Sequence, residues 1–246
     1  MSHLPALLLV LSVAPAPSAS AAPVADPPLV AAVKNGDLAG LKAGLSEGDA
    51  AGEKDQYGWT AVMWAVGHGG APMTKALLDA GADPAPKDVP SFNAMIEAAK
   101  GGRADVVPLL SARGFSCSAK DELGVPALSY AVALVSTATV NALLSCKADV
   151  NAIDSNGFTP LIRAVQAGQP GAVRLLLAAG AAVNARDTQG YTALMWAAHS
   201  GSAASARVLL AARADATLKG KNGLAAGEIA RKRGRADVAA LLPATP

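Results

Sequence analysis

Charge of one sign is missing from this chain. Lys and Arg number 21 against 19 Asp and Glu, a formal charge of +2, too small to imply a nucleic-acid partner. Past residue 13 there is no long apolar run, so no membrane span is expected. The high hydrophobic fraction comes largely from alanine, which suits small helices stacked closely. Catalytic signatures are absent as well. No GxSxG, no GxxxxGK[ST] and no motif-placed pair of carboxylates occurs. His68 and His199 have no cysteine or carboxylate at metal-ligand spacing. No enzymatic activity, cofactor or metal is therefore expected.

The apolar run from Leu4 to Val13 leads into a Pro/Ser/Ala stretch ending Ala19-Ser20-Ala21. Residues 1–21 read as a secretory signal peptide with a small-x-small cleavage site before Ala22. Its start carries only the terminal amine and His3. No cysteine precedes Cys117, which excludes a lipid anchor on a leader cysteine. The expected location is periplasmic or extracellular.

The rest of the chain repeats. Asp55, Asp88, Asp121, Asp154 and Asp187 follow one another at intervals of 33 residues, and Gly220 stands at the next such place. Gly58, Gly157 and Gly190 suit a tight turn. Thr60, Thr159 and Thr192 then offer hydroxyls as helix N-caps. Pro160 falls at the first helical position, where its missing donor costs nothing. Gly69, Gly168 and Gly201 are expected to end the first helix. The second carries the pairs Leu77-Leu78, Leu109-Leu110, Leu143-Leu144, Leu176-Leu177 and Leu209-Leu210. Gly81, Gly114 and Gly180 sit just past its end, as a left-handed residue should.

A 33-residue period reading D-x-x-G-x-T-(P/A)-L and then LL-x-x-GA-(D/A)-V-N-A resembles the ankyrin repeat. The resemblance implies an all-α repeat solenoid of stacked helix-turn-helix units joined by short β-hairpin loops. One elongated domain is expected, with an N-terminal cap at 22–54 and repeats at 55–87, 88–120, 121–153, 154–186 and 187–219. Residues 220–246 form the closing cap, its outer face charged by Arg231, Lys232, Arg233 and Arg235 because no neighbour covers it.

The second and third repeats depart from this pattern. Val89-Pro90-Ser91 replaces the usual turn, although Asn93 can still cap. Pro108 is expected to break a backbone bond beyond the first turn of its helix. Pro126 occupies an N-cap site without a hydroxyl, and Val135 replaces the glycine between the helices. Lys147 and Arg213 stand where glycine favours the left-handed conformation.

With each aspartate counted as zero, register four holds Trp59, Phe92, Val125, Phe158 and Tyr191. Register nine holds Trp64, Glu97, Tyr130, Arg163 and Trp196. The resemblance implies a protein-binding surface on the hairpin tips and inner helices. The expected partner-binding residues are Tyr57, Trp59, Trp64, His68, Phe92, Glu97, Tyr130, Phe158, Arg163, Tyr191, Trp196 and His199. Aromatics suit hot spots, because they bury much area with little entropy to lose. The same rings equally suit packing between neighbouring turns. Cys117 and Cys146 lie in adjacent repeats, open to a disulfide or to two separate buried thiols.

The expected role is a monomeric, non-catalytic scaffold holding one or more proteins in the periplasm or outside the cell. Bacterial relatives of this layout are linked to peroxide protection through a periplasmic catalase, and a secreted effector or a self-associating structural role would also fit the resemblance.

Overall fold

The structure, a computed structural model, describes residues 25–85, 92–134 and 136–243. The leader, the turn Asp88–Ser91 and Val135 lie outside them. The chain divides into two compact units, residues 1–89 and 90–246, where the repeat pattern alone suggested one domain.

In the first unit, α1 (Pro28–Lys34) and α2 (Leu38–Glu47) form the cap, and α3 (Ala61–Trp64) and α4 (Gly70–Asp79) the first repeat. Helix α1 packs on α2 and α3, and α2 packs on α4. Between α3 and α4 the backbone widens into a π turn, Ala65–Gly69. Gly69 therefore does not end the helix as expected. It is right-handed at φ −82°, and the left-handed turn passes to Gly70 at φ +75°. Gly36, Gly102, Gly168, Gly201 and Gly234 keep that turn one register earlier. The extra residue held in the π turn accounts for the shift.

The second unit stacks five helix pairs: α5 (Ala94–Lys100) with α6 (Val107–Ala112), and α7 (Ala127–Ala133) with α8 (Thr137–Ser145). The regular repeats add α9 (Pro160–Gln166) with α10 (Pro170–Ala178), and α11 (Ala193–Ser200) with α12 (Ala203–Ala211). The cap closes with α13 (Ala226–Lys232) and α14 (Ala236–Ala239). Inner helices stack in the order α5, α7, α9, α11, α13, with the shorter-range outer row beside them. This is the expected all-α repeat stack. No described helix is long and apolar enough to cross a membrane.

Small residues let the inner row approach closely. Ala98, Ala131, Ala164, Ala197 and Ala230, one per pair, are fully buried. The outer row contributes Leu110, Leu143, Leu176 and Leu209, all at one register and all without exposed surface. Burying a leucine side chain is worth about 1.5–3 kcal/mol. One leucine of each adjacent pair therefore anchors its helix, and Leu109, Leu144, Leu177 and Leu210 are only half-buried.

Caps follow local chemistry. Thr159 and Thr192 accept from Ile162 and Met195 at 3.2 and 3.4 Å, and Asn93 accepts from Met95 and Ile96. The Thr60 hydroxyl, at the same place, has no hydrogen-bond partner among the described residues. Pro126 caps with no side-chain bond, as its chemistry requires. Pro108 is the correction. Helix α6 begins only at Val107, which brings Pro108 into the first turn, where no intrahelical bond is lost. The cost appears as length, six residues against nine in α8, α10 and α12. Lys147 and Arg213 do take positive φ, +65° and +61°. Cys117 and Cys146 form a disulfide, which closes the choice the sequence left open.

Candidate functional site

Four of the described hairpins are organised by the aspartate that sets the repeat period, Asp55, Asp121, Asp154 and Asp187. In the fourth repeat one oxygen of Asp154 accepts the backbone N–H groups of Asn156 and Phe158 at 2.8 and 3.0 Å. Asp55 does the same for Tyr57 and Trp59, Asp121 for Leu123 and Val125, and Asp187 for Gln189 and Tyr191. Single antiparallel bridges close the hairpins, as Lys120 with Pro126 and Arg186 with Thr192.

The second oxygen explains register nine. Trp64 donates its indole N–H to Asp55 at 2.9 Å, and Trp196 donates to Asp187 at 2.8 Å. The Tyr130 hydroxyl donates to Asp121 at 2.6 Å, and the Arg163 guanidinium pairs with Asp154. Three unlike side chains share one property, an N–H or O–H donor at one height above the same acceptor. Gly220 lacks the carboxylate, and Ile229, nine residues on, lacks the donor. Glu97 has no proton to give in its ionised form and pairs instead with Lys100 at 2.8 Å. Burial comes first in raising the Tyr130 pKa, followed by its bond to Asp121.

The twelve residues expected to contact a partner are thus mostly held by the scaffold. Phe92 and Arg163 are buried, only His68 is exposed, and the others are half-buried. In the second unit Arg163 lies over the Phe158 ring at 4.4 Å, and Phe158 meets Trp196 edge-on at 5.6 Å. Trp196 also touches Tyr191 and His199, at 5.7 and 5.4 Å. Lys100 sits 5.0 Å over Tyr130, joining Glu97 to that ring. The Tyr191 hydroxyl accepts from Asn222 at 2.8 Å. Phe158, Trp196, Tyr191 and His199 therefore form one half-exposed ring wall, with Tyr130 and Lys100 as a separate pair.

In the first unit Trp64 contacts Trp59 at 5.0 Å and His68 at 5.3 Å. Lys34 lies over the Trp64 and Tyr57 rings at 4.6 and 5.9 Å, and pairs with Asp26 and Asp55, each at 2.9 Å. Burial works to lower the Lys34 pKa, but the two carboxylates outweigh it and raise it. Burial likewise works to raise Asp55, and bonds from Lys34, Trp59, Trp64 and Tyr57 hold it below the usual carboxylate value. A groove of about 460 Å³ opens beside this cluster, lined by Val33, Lys34, Asn35, Trp64, His68 and Met73. Lys34 was missed from the sequence because it stands in the cap, outside the five aspartate registers.

Neighbouring described tips are tied to one another by backbone hydrogen bonds. Ser155 N–H donates to Leu123 carbonyl, Thr188 to Asn156 and Lys221 to Gln189, at 3.0, 3.0 and 2.9 Å. At Gly157 the fit is close enough that a Cβ would lie 2.9 Å from the Thr188 nitrogen. What the tips display is variable. The register before the aspartate reads Lys54, Lys120, Ile153, Arg186 and Lys219 in the described repeats, all exposed. Lys120 reaches across to the Ile153 carbonyl at 2.9 Å. Among the described residues, Leu123 and Ile153 are the exposed large hydrophobics, at 66% and 51%. Ile153 breaks a column otherwise cationic, a signal the sequence carried but a search for aromatics passes over.

Residues 29–121 and 128–222 match the family model for ankyrin repeats, described as three copies. No curated protein matches the chain. The match covers most of the sequence, and the hairpins, paired helices and shared registers agree with it. The chain belongs to the ankyrin-repeat family, whose repeats generally mediate protein–protein interaction as non-catalytic scaffolds.

Proposed function

We propose that this protein is an exported scaffold that holds a partner protein on its fingertips and the half-exposed ring wall beneath them. The observation that carries this reading is a rigid frame displaying variable side chains. Aspartate-locked tips hold their backbone fixed, so little ordering entropy is lost on binding. Leu123 and Ile153 on adjoining tips supply exposed apolar contact, and Lys120 and Arg186 flank them with charge. Two large apolar side chains exposed side by side on a folded surface favour an interaction site there. The leader-like start and the Cys117–Cys146 bond both favour an oxidising compartment, the periplasm or the cell exterior.

The ring wall enters this reading differently from the tips. Trp64 and Trp196 hold the hairpins in place, so their loss would damage the fold along with any interface. A useful test must leave them intact. Tagged full-length chain and a Leu123→Ser/Ile153→Ser variant are crosslinked in the native periplasmic fraction, with circular dichroism confirming that both are folded. A protein captured by the first and lost by the second supports the reading. Equal capture by both, or fractionation of the chain with the cytosol, overturns it.

A further inference from the structure

The disulfide spans the joint between the second and third repeats, the two that depart from the regular pattern. Cys117 stands in the hairpin that leaves the second repeat and Cys146 just past α8 in the third, with Cα atoms 6.1 Å apart. The two following joints carry Val150 with Ala179, and Val183 with Ala212, at these registers. Beside each joint a side chain one residue further along accepts a backbone N–H from the next repeat. Ser118 accepts from Asp149, Asn151 from Ala182 and Asn184 from Asp215, at 2.9, 2.8 and 2.9 Å. The bridged joint thus keeps the common hydrogen bond and adds a covalent one.

Features of the regular repeats are also missing here. Helix α6 has six residues, α7 lacks a capping side chain, and Lys147, next to Cys146, holds a left-handed backbone. Glu97 cannot make the aspartate contact that Arg163 and Trp196 make in the regular repeats. Removing the bond leaves the Ser118–Asp149 and Lys120–Ile153 hydrogen bonds across this joint but no covalent tie.

We propose that the Cys117–Cys146 bond is a redox-sensitive clasp on the second and third repeats. Oxidised, it keeps α6, α7, α8 and the tip bearing Leu123 in order. A small dithiol reductant opens it by attack on Cys146, the half-exposed end, because Cys117 is buried. That attack forms a mixed disulfide at Cys146 and releases Cys117 as the thiolate, which takes up a proton. The second thiol of the reductant then displaces Cys146. The protein gains two electrons and two protons, and the reductant leaves as its own disulfide. The consequence for partner capture rests on the function proposed above, but the clasp itself is read without any partner.

The test is hydrogen exchange and thermal melting of the full-length chain, oxidised and with excess dithiothreitol, beside a Cys117→Val/Cys146→Ala variant. This variant restores the pair of residues used at the next two joints, so a packing loss is separated from loss of the bond. Closing a loop of this length is expected to change protection by a few hundred-fold and melting by on the order of 10 °C. Reductant should strip protection from α6 to α8 while α9 to α12 keep theirs, and the variant should match the reduced protein in either buffer. If reductant leaves α6–α8 protected, loosens all repeats alike, or leaves the chain less stable than the variant, the clasp is overturned. Failure to capture a partner, with these exchange results intact, would count against the scaffold reading alone.

Discussion

In the fourth repeat Asp154 holds two backbone N–H groups with one oxygen and the Arg163 guanidinium with the other. In the second repeat the residue at the Arg163 register is Glu97, an acceptor, and it turns to Lys100. The outer helices differ in the same direction, nine residues in α10 and six in α6. The comparison shows that registers zero and nine work as one unit. A carboxylate there needs a donor, and any donor of the right reach will serve. Where the donor is lost, the outer helix is shorter too, and a covalent bond stands at the neighbouring joint.

Converting the good repeat toward the poor one is the most severe test. Asp154→Ala leaves the Arg163 charge buried and unpaired, and should cost about 3–5 kcal/mol in a urea titration. A cost near that of a surface substitution would mean the pair is incidental. Tyr130→Phe removes one donor from Asp121 in the third repeat and keeps the ring. A loss of about 1.5 kcal/mol is expected for a hydrogen bond to a charged group, and no loss would show that the third repeat no longer uses this contact. Repair runs the other way. Lys147→Gly should stabilise the third repeat by about 1 kcal/mol by relieving the positive φ, read as a raised midpoint with unchanged slope.

The smallest effect concerns His199 in the fifth repeat, whose Nε2 is buried without a partner among the described residues. Burial first, then the nearby Arg233 and Arg235, hold its pKa below the ordinary value. The unfolded chain therefore takes up the proton first, near pH 6.5. Stability from this group is complete above that pH and declines as pH falls toward the lowered folded value. Urea midpoints at pH 7.5 and 5.5 should differ more for the native chain than for His199→Gln.

The period, most of the left-handed glycines and the Thr159 and Thr192 caps were legible in the sequence because each is a local demand of the backbone. Thr60 and Gly69 depart from it. Register nine was legible as a column but not as a contact. Trp, Tyr and Arg look alike only once their donors are seen to meet one carboxylate. The π turn was hidden for a related reason. Three glycines, Gly67, Gly69 and Gly70, stand close together there, and the positive φ falls on Gly70 rather than on the expected Gly69. It also re-pairs the histidines. His68 reaches Trp64 from four residues away and His199 reaches Trp196 from three, at almost the same ring separation.

The bonding inside the tips limits how anything can be recognised there. From Asp154 to Phe158 every backbone N–H already has an acceptor: Phe158 carbonyl, Leu123 carbonyl, the Asp154 carboxylate, Asp154 carbonyl and the carboxylate again. Asp187 to Tyr191 repeats the arrangement. An extended peptide laid along these tips finds no main-chain donor with which to extend a sheet. The tip main chain can therefore offer a partner acceptors only, and any donor it presents must come from a side chain such as Lys120 or Arg186.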